Sequence, residues 1–208
     1  ASFDAEVVAM KRQGIELTAW WMPGALDANA RKIIEVIRRH EIHPQWWVMI
    51  GEPAGADQAA KVKAAADQLR PLAIEAKALG CKLALYNHGG WFGEPENQLA
   101  IIRELALPNV GIVYNFHHGH AHIGRFPQLF DAMKPHLLAL NLNGMVDDGE
   151  ALGKKILPPG DGTRELEMLR HVVKSGWQGP VGILDHLPET DSAVTLRGNL
   201  AALDRLRK

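Results

Sequence analysis

The sequence predicts an α/β protein built on a parallel sheet, and three observations predict it. Short apolar runs rich in Val, Ile and Trp alternate with helical patterns along the whole chain. These runs show little polar alternation, as expected of parallel strands covered on both faces. Polar residues gather where the runs end: Glu52; Asn87 and His88; Asn115, His117 and His118; Asn141 and Asn143; Asp185 and His186. In parallel α/β folds the carboxyl ends of the strands carry the site. His118 and its neighbours are therefore expected to meet His88, Asn141 and Asp185 in space.

The elements follow in order. SFDAEVVAMKRQG carries Ser2 as an N-cap, Asp4 and Glu6 in the first turn and Gly14 past the end, a full set of helix start and stop signals. IELTAWWMP reads as a strand ended by Pro23. DANARKIIEVIRRH reads as a helix capped by Asp27, with Ile33, Ile34 and Ile37 on one face. HPQWWVMIG is the next strand. A long helix runs from about Asp57 to Leu79, where Pro71 should kink or split it. CKLALYNHGG is a strand, and EPENQLAIIREL a helix with Pro95 in its first turn. NVGIVYNFHH, HLLALNLNGM and PVGILDH are the remaining strands. RFPQLFDAMK, TRELEMLRHVVKSG and DSAVTLRGNLAALDRLRK are the helices that follow them. The repeating unit is the βα pair, in a single domain over residues 1–208.

A chain of 208 residues can bury a sizeable core without staples. Its 23 basic and 24 acidic residues are intermixed, with net charge −1, so no face reads as a nucleic-acid footprint. Cys81, the single cysteine, starts an apolar run and is expected to be a buried, inert thiol. No apolar run approaches the roughly 20 residues of a membrane helix. No signal peptide is read in the chain, and the compartment stays open. No G-x-G-x-x-G follows a strand and there is no P-loop.

YNFHHGHAH places His117, His118, His120 and His122 within six positions. Three readings stand: a metal site from His88, His118 and His120, since neutral imidazole suits Zn, Mn or Fe; proton transfer by neutral histidine; or a hydrogen-bonded polar loop. Strand alternation would send His117 and His118 to opposite faces if the strand persists that far. NHGGW lets the backbone turn tightly or approach a ligand beside Asn87 and His88. Asn141 and Asn143 share one strand face, open to ligand contact or to hydrogen bonds inside the fold. Of Asp185 and His186, one faces the pocket; Asp185 can orient a histidine or act as a base. Glu52 is either a ligand or a loop residue, and Lys154 or Lys155 either reaches an anion or is solvated. Each WW pair should send one ring to each face of the sheet.

LALYNHGGWFGEPENQLAIIREL, NVGIVYNFHHGHAHIGRF, LNLNGM and PVGILDH resemble the xylose-isomerase-like TIM barrels, the sugar phosphate isomerase/epimerase superfamily. The resemblance covers essentially the whole chain. It implies a (β/α)8-type TIM barrel of which six βα units are visible and the N-terminal units are missing, a partial or open barrel. Exposed barrel edges would then invite a homo-oligomer.

The resemblance also implies one divalent metal, held by Glu, Asp, His and Glu at the ends of the fifth to eighth strands. Here Tyr86, Asn115, Asn141 and Leu184 stand at those places, with Asp185 next to Leu184. His118 matches a histidine common in the family. A carboxylate supplies charge for a hard cation and a base for a proton; Tyr, Asn and Leu supply neither at neutral pH. The expected site therefore has His88, His118 and Asp185 as catalytic groups. Trp21, Tyr86, Asn87, Asn115, Asn141, Asn143 and His186 are its substrate contacts. A divalent metal (Zn, Mn or Fe) on His88, His118 and His120 and no metal at all are both compatible with this set. The partner is a sugar or polyol-like small molecule, not nucleic acid or a membrane. The activity implied is isomerase- or epimerase-like proton abstraction next to a carbonyl, or a lyase variant of it. The alternative is a carbohydrate-binding barrel that no longer catalyses.

Overall fold

A computed structural model describes residues 3–183, 187 and 189–206. Six parallel strands form one sheet in sequence order: β1 (Ala19–Trp21), β2 (Gln45–Val48), β3 (Leu83–Tyr86), β4 (Val110–Asn115), β5 (Leu137–Leu142) and β6 (Val181–Ile183). The helices are α1 (Phe3–Arg12), α2 (Ala28–His40), α3 (Gln58–Ala78), the single turn α4 (Gly90–Gly93), α5 (Pro95–Leu105), α6 (Phe126–Met133), α7 (Glu165–Lys174) and α8 (Ser192–Leu206). The βα alternation is the expected one. The described chain falls into two compact units, residues up to 86 with 90–111, and 87–89 with those from 112 onward.

In the first unit local signals set the helix ends. Asp27 and Asp57 accept the backbone N–H of Ala30 and Ala60 at 2.8 Å, capping α2 and α3. Ser2 lies outside the described residues. Pro71 does not split α3, which is one helix of 21 residues. Its missing N–H and ring are disfavoured in a helix interior by about 3 kcal/mol, yet Leu69, Leu72, Ala73 and Ala76 around it are fully buried. Arg70 adds two bonds to the last turn of α5, at 3.0 Å to Leu105 O and 3.1 Å to Glu104 O. Burial of each such leucine contributes about 1.5–3 kcal/mol, so packing outweighs the local penalty.

Register decides the faces. Trp20 pairs with Trp46 and Trp46 with Leu83, while Trp21 pairs with Trp47 and Trp47 with Ala84. Neighbours across a ladder share a face. Trp46 is fully buried with Leu83 and Leu85, whereas Trp21 is 47% exposed on the other face. Each WW pair thus divides between the two faces. Cys81 is buried, and burial pushes its thiol up to about 11, against a smaller opposing pull from the Trp46 indole. The inert thiol expected from sequence is what the core contains.

The second unit is built around Tyr114, Phe116, Phe126 and Phe130, all fully buried. Their rings meet edge-on or tilted at 5.4–6.1 Å. Tyr114, Leu140 and Val181 lie on one face of β4, β5 and β6; Asn115, Asn141 and Gly182 lie on the other.

Candidate functional site

The polar cluster starts from one amide. Asn87, just past β3, is buried; its Oδ1 accepts the Asn115 N–H at 2.7 Å and its Nδ2 donates to Asn115 O at 3.0 Å. A side-chain amide thereby copies a strand pairing and fixes the end of β4. Asn115 Oδ1 in turn accepts the His117 N–H at 3.0 Å, an Asx-type turn. The strand stops at Asn115, and Phe116–His118 form a 3-10 turn. Alternation therefore does not apply to His117 and His118. Their rings meet edge-on with centroids 4.3 Å apart, and His88 lies tilted against His118 at 4.4 Å. The three imidazoles form a ladder from exposed His88 through half-buried His118 to buried His117. Bringing His88 to His118 is what the strand-end argument expects.

The other two histidines of the motif serve the scaffold. His122 Nδ1 lies 3.1 Å from the Tyr114 hydroxyl, in the buried aromatic layer. Gly119 is needed there, since a Cβ would sit 2.4 Å from that hydroxyl. His120 has Nδ1 at 2.9 Å from Val146 O and Nε2 at 3.1 Å from Lys155 O. Both ring nitrogens lie against loop carbonyl oxygens, so the ring is turned into the loop. His120 is a loop anchor, contrary to the metal reading.

The loop it anchors runs from Asn143 to Arg164. Asn143 donates to Gly144 O and Lys155 O, both at 2.8 Å, and accepts from Leu157 N at 3.3 Å. Glu165, buried at the start of α7, accepts three backbone N–H groups: Met145 at 3.0 Å, Gly160 at 3.0 Å and Gly162 at 2.8 Å. Gly162 leaves room for this, as a Cβ would meet a Glu165 oxygen at 2.1 Å. The signal that could have found Glu165 is G-D-G-T-R-E, a glycine-rich turn whose first helical residue can accept its orphan donors. At the tip, Lys155 pairs with Glu150 at 2.7 Å. Lys155 holds the Glu150 carboxyl below the usual range, with smaller contributions from His117 and His120.

Asn141 behaves differently from Asn143. It is buried on β5, its Oδ1 lies over Gly182, and it has no hydrogen-bond partner among the described residues. Of the sequence-derived groups, His88, His118, Asn115 and Asn141 thus stay at the strand ends of the second unit. Asp185, His186 and Leu184 lie outside the described residues.

In the first unit Trp21, Trp47 and Tyr86 form an aromatic trio, with Trp21 to Tyr86 at 4.7 Å and Trp47 to Tyr86 at 5.9 Å. Tyr86 is buried and Trp21 half exposed. Trp91 donates its indole N–H to Gln58 at 2.9 Å, Gln58 donates to Asn97 at 2.7 Å, and Asn97 returns to Trp91 O at 2.6 Å. Glu52 pairs with Lys61.

The profile of the xylose isomerase-like TIM barrel matches residues 13–202. The chain belongs to that family. No curated protein matches it. Among solved structures, 3-keto-D-glucoside 4-epimerase YcjR from E. coli aligns with TM-score 0.71 and 18% identity, over 98% of this chain and 84% of that one. D-psicose 3-epimerase, solved in the presence of D-fructose, aligns with TM-score 0.71 and 17% identity, over 98% and 83%. The IOLI protein, solved with a zinc atom, aligns with TM-score 0.74 and 16% identity, over 99% and 81%. At these identities the likeness is one of fold.

The metal ligands that the family resemblance implies would fall at Tyr86, Asn115 and Asn141. These residues do not fit a divalent cation. Tyr86 is a buried phenol among aromatic rings, Asn115 Oδ1 caps a backbone N–H, and Asn141 is a neutral amide. Among the described residues no three His, Cys, Asp or Glu side chains are arranged to hold a metal. No described helix is long and apolar enough to cross a membrane.

Proposed function

We propose that the protein is a sugar isomerase- or epimerase-like enzyme, acting on a sugar or polyol-like substrate by proton abstraction next to a carbonyl. The observation that carries this reading is the His88–His118–His117 ladder at the ends of β3 and β4. A neutral imidazole removes a proton at ordinary pH and becomes imidazolium, and a proton is given back to the adjacent atom by that group or by a neighbouring imidazole in its protonated form. His118 and His88 take these roles, with Asp185 the carboxylate that completes the set. Asn115 and Asn141 each donate and accept, which suits hydroxyl groups; the unpartnered amide of Asn141 is the contact with most to gain from a ligand. Trp21 is a stacking surface for the apolar face of a sugar ring, with Tyr86 behind it. His186, outside the described residues, is the remaining proposed contact. Asn87 and Asn143 position the site, since their amides hold backbone groups.

A second reading has a specific observation behind it: Tyr86, Asn115, Asn141 and Leu184 stand where the resemblance implies Glu, Asp, His and Glu. That favours a barrel that binds carbohydrate without catalysis. One experiment separates the two. The protein is incubated in D2O with D-fructose, D-psicose and a 3-keto-glucoside, and deuterium entry beside the carbonyl is followed by mass spectrometry. The enzyme reading expects incorporation that falls by about 10²-fold or more in His118→Ala. Saturable binding with no incorporation above the uncatalysed rate would establish the binder instead.

A further inference from the structure

The second unit contains a cavity of about 260 Å³ that the proposed chemistry does not use. One side of α8 forms one wall; the returning leg of the β5–α7 loop forms the other. Ile156, Leu157 and Leu187 supply apolar lining, and Asp161, Asn199 and Arg205 supply polar lining.

Asn199 is the anomaly. It stands in the middle of α8, where asparagine is a poor helix former. It is only 5% exposed, and it makes no hydrogen bond among the described residues. Its amide is not sealed inside protein but opens on the cavity, at a position where an apolar residue would suit the helix better. A ligand in the cavity would satisfy it. Asp161 and Arg205 are exposed at the same cavity and carry opposite charges. Neither makes an ion pair with the other or with any described residue. Both charges are available to a third molecule.

The combination selects a ligand class. A phosphate or dicarboxylate would be repelled by Asp161, and a simple amine by Arg205. A molecule with both charges answers both, and its carboxylate can also take a hydrogen bond from the Asn199 amide. The volume lies near the lower end of ordinary ligand pockets, roughly 300–1,000 Å³. We propose that this cavity binds a small zwitterion, an α-amino acid with a short apolar side chain seated on Ile156, Leu157 and Leu187. The site is independent of the sugar-directed reading.

The test uses the full chain, isothermal titration and amide chemical-shift mapping. The probes are L-leucine and L-valine, with isovalerate, isobutylamine and xylitol as partial or neutral analogues. The expected result is saturable binding of leucine or valine at least tenfold tighter than either charged half-molecule, with shifts at residues 156–161 and 195–205. Arg205→Met should weaken leucine and isovalerate at least tenfold. Asp161→Asn should weaken leucine but spare isovalerate. Asn199→Leu, checked for an unchanged fold by circular dichroism, should abolish binding. Three results would overturn the assignment: no saturable binding of either amino acid to folded protein, leucine affinity unchanged in both charge variants, or tighter binding of xylitol than of leucine.

Discussion

The loop after β2 and the loop after β5 both lead from a strand end into a helix, and they are held by different means. In the first unit the connection from β2 to α3 uses an exposed Glu52–Lys61 pair and the Asp57 cap. All three residues lie within ten positions of one another. In the second unit the β5–α7 connection is gathered by Asn143 at its start, Glu165 at its end and His120 from another element. Between them these three hold carbonyl or N–H groups of residues 144, 145, 146, 155, 157, 160 and 162. A short loop can rely on water and one cap. A long loop with buried backbone has to find protein partners for its polar groups, and buried side chains supply them.

The sharpest way to break this comparison is Glu165→Ala. It leaves three buried or half-buried N–H groups without their acceptor, and the expected loss is about 3 kcal/mol in denaturant unfolding. A loss under about 1 kcal/mol would mean that water replaces the carboxylate and the contrast is superficial. Next is His120→Ala, which frees the carbonyls of Val146 and Lys155. The expected cost is about 1–2 kcal/mol, with faster hydrogen exchange confined to residues 144–162. Exchange unchanged there would remove His120 as an anchor.

Trp91→Phe sharpens the comparison from the other side. It deletes one hydrogen bond in the Trp91–Gln58–Asn97 triangle while keeping most of the ring, so about 1 kcal/mol is expected. The smallest effect should come from Lys61→Ala, since exposed ion pairs contribute about 0–1 kcal/mol. Its effect should also shrink further in high salt. A cost for Lys61→Ala equal to that of His120→Ala would show that the two loops are held alike.

Much of the architecture was legible because its causes are local. Apolar runs marked all six strands, Asp27 announced its cap, and the position of Cys81 at the head of a buried run foretold an inert thiol. The site was legible in part, through the clustering of Asn and His at strand ends. His88 and His118 do meet. The remainder depended on where a strand stops. His117 and His118 share a 3-10 turn because Asn87 and Asn115 end β4 two residues before the alternation would have separated them. The place of His120 depended on the same kind of thing. An imidazole suits a metal and a carbonyl equally well, and nothing in H-G-H-A-H says that two carbonyls from a loop some 26–35 residues later will face it.

By itself, then, the sequence determined the βα order, the parallel sheet, the helix caps and the end of the strands at which polar chemistry collects. Each follows from periodicity or from contacts between near neighbours in the chain. The tertiary structure alone decided which polar side chains stay available and which are taken up by backbone. Asn141 on β5 and Asn143 just past its end are the same residue type two positions apart, yet one lies over Gly182 with no hydrogen bond among the described residues and the other closes a loop with three. The physical reason is that a hydrogen bond depends on what distant backbone arrives beside the side chain.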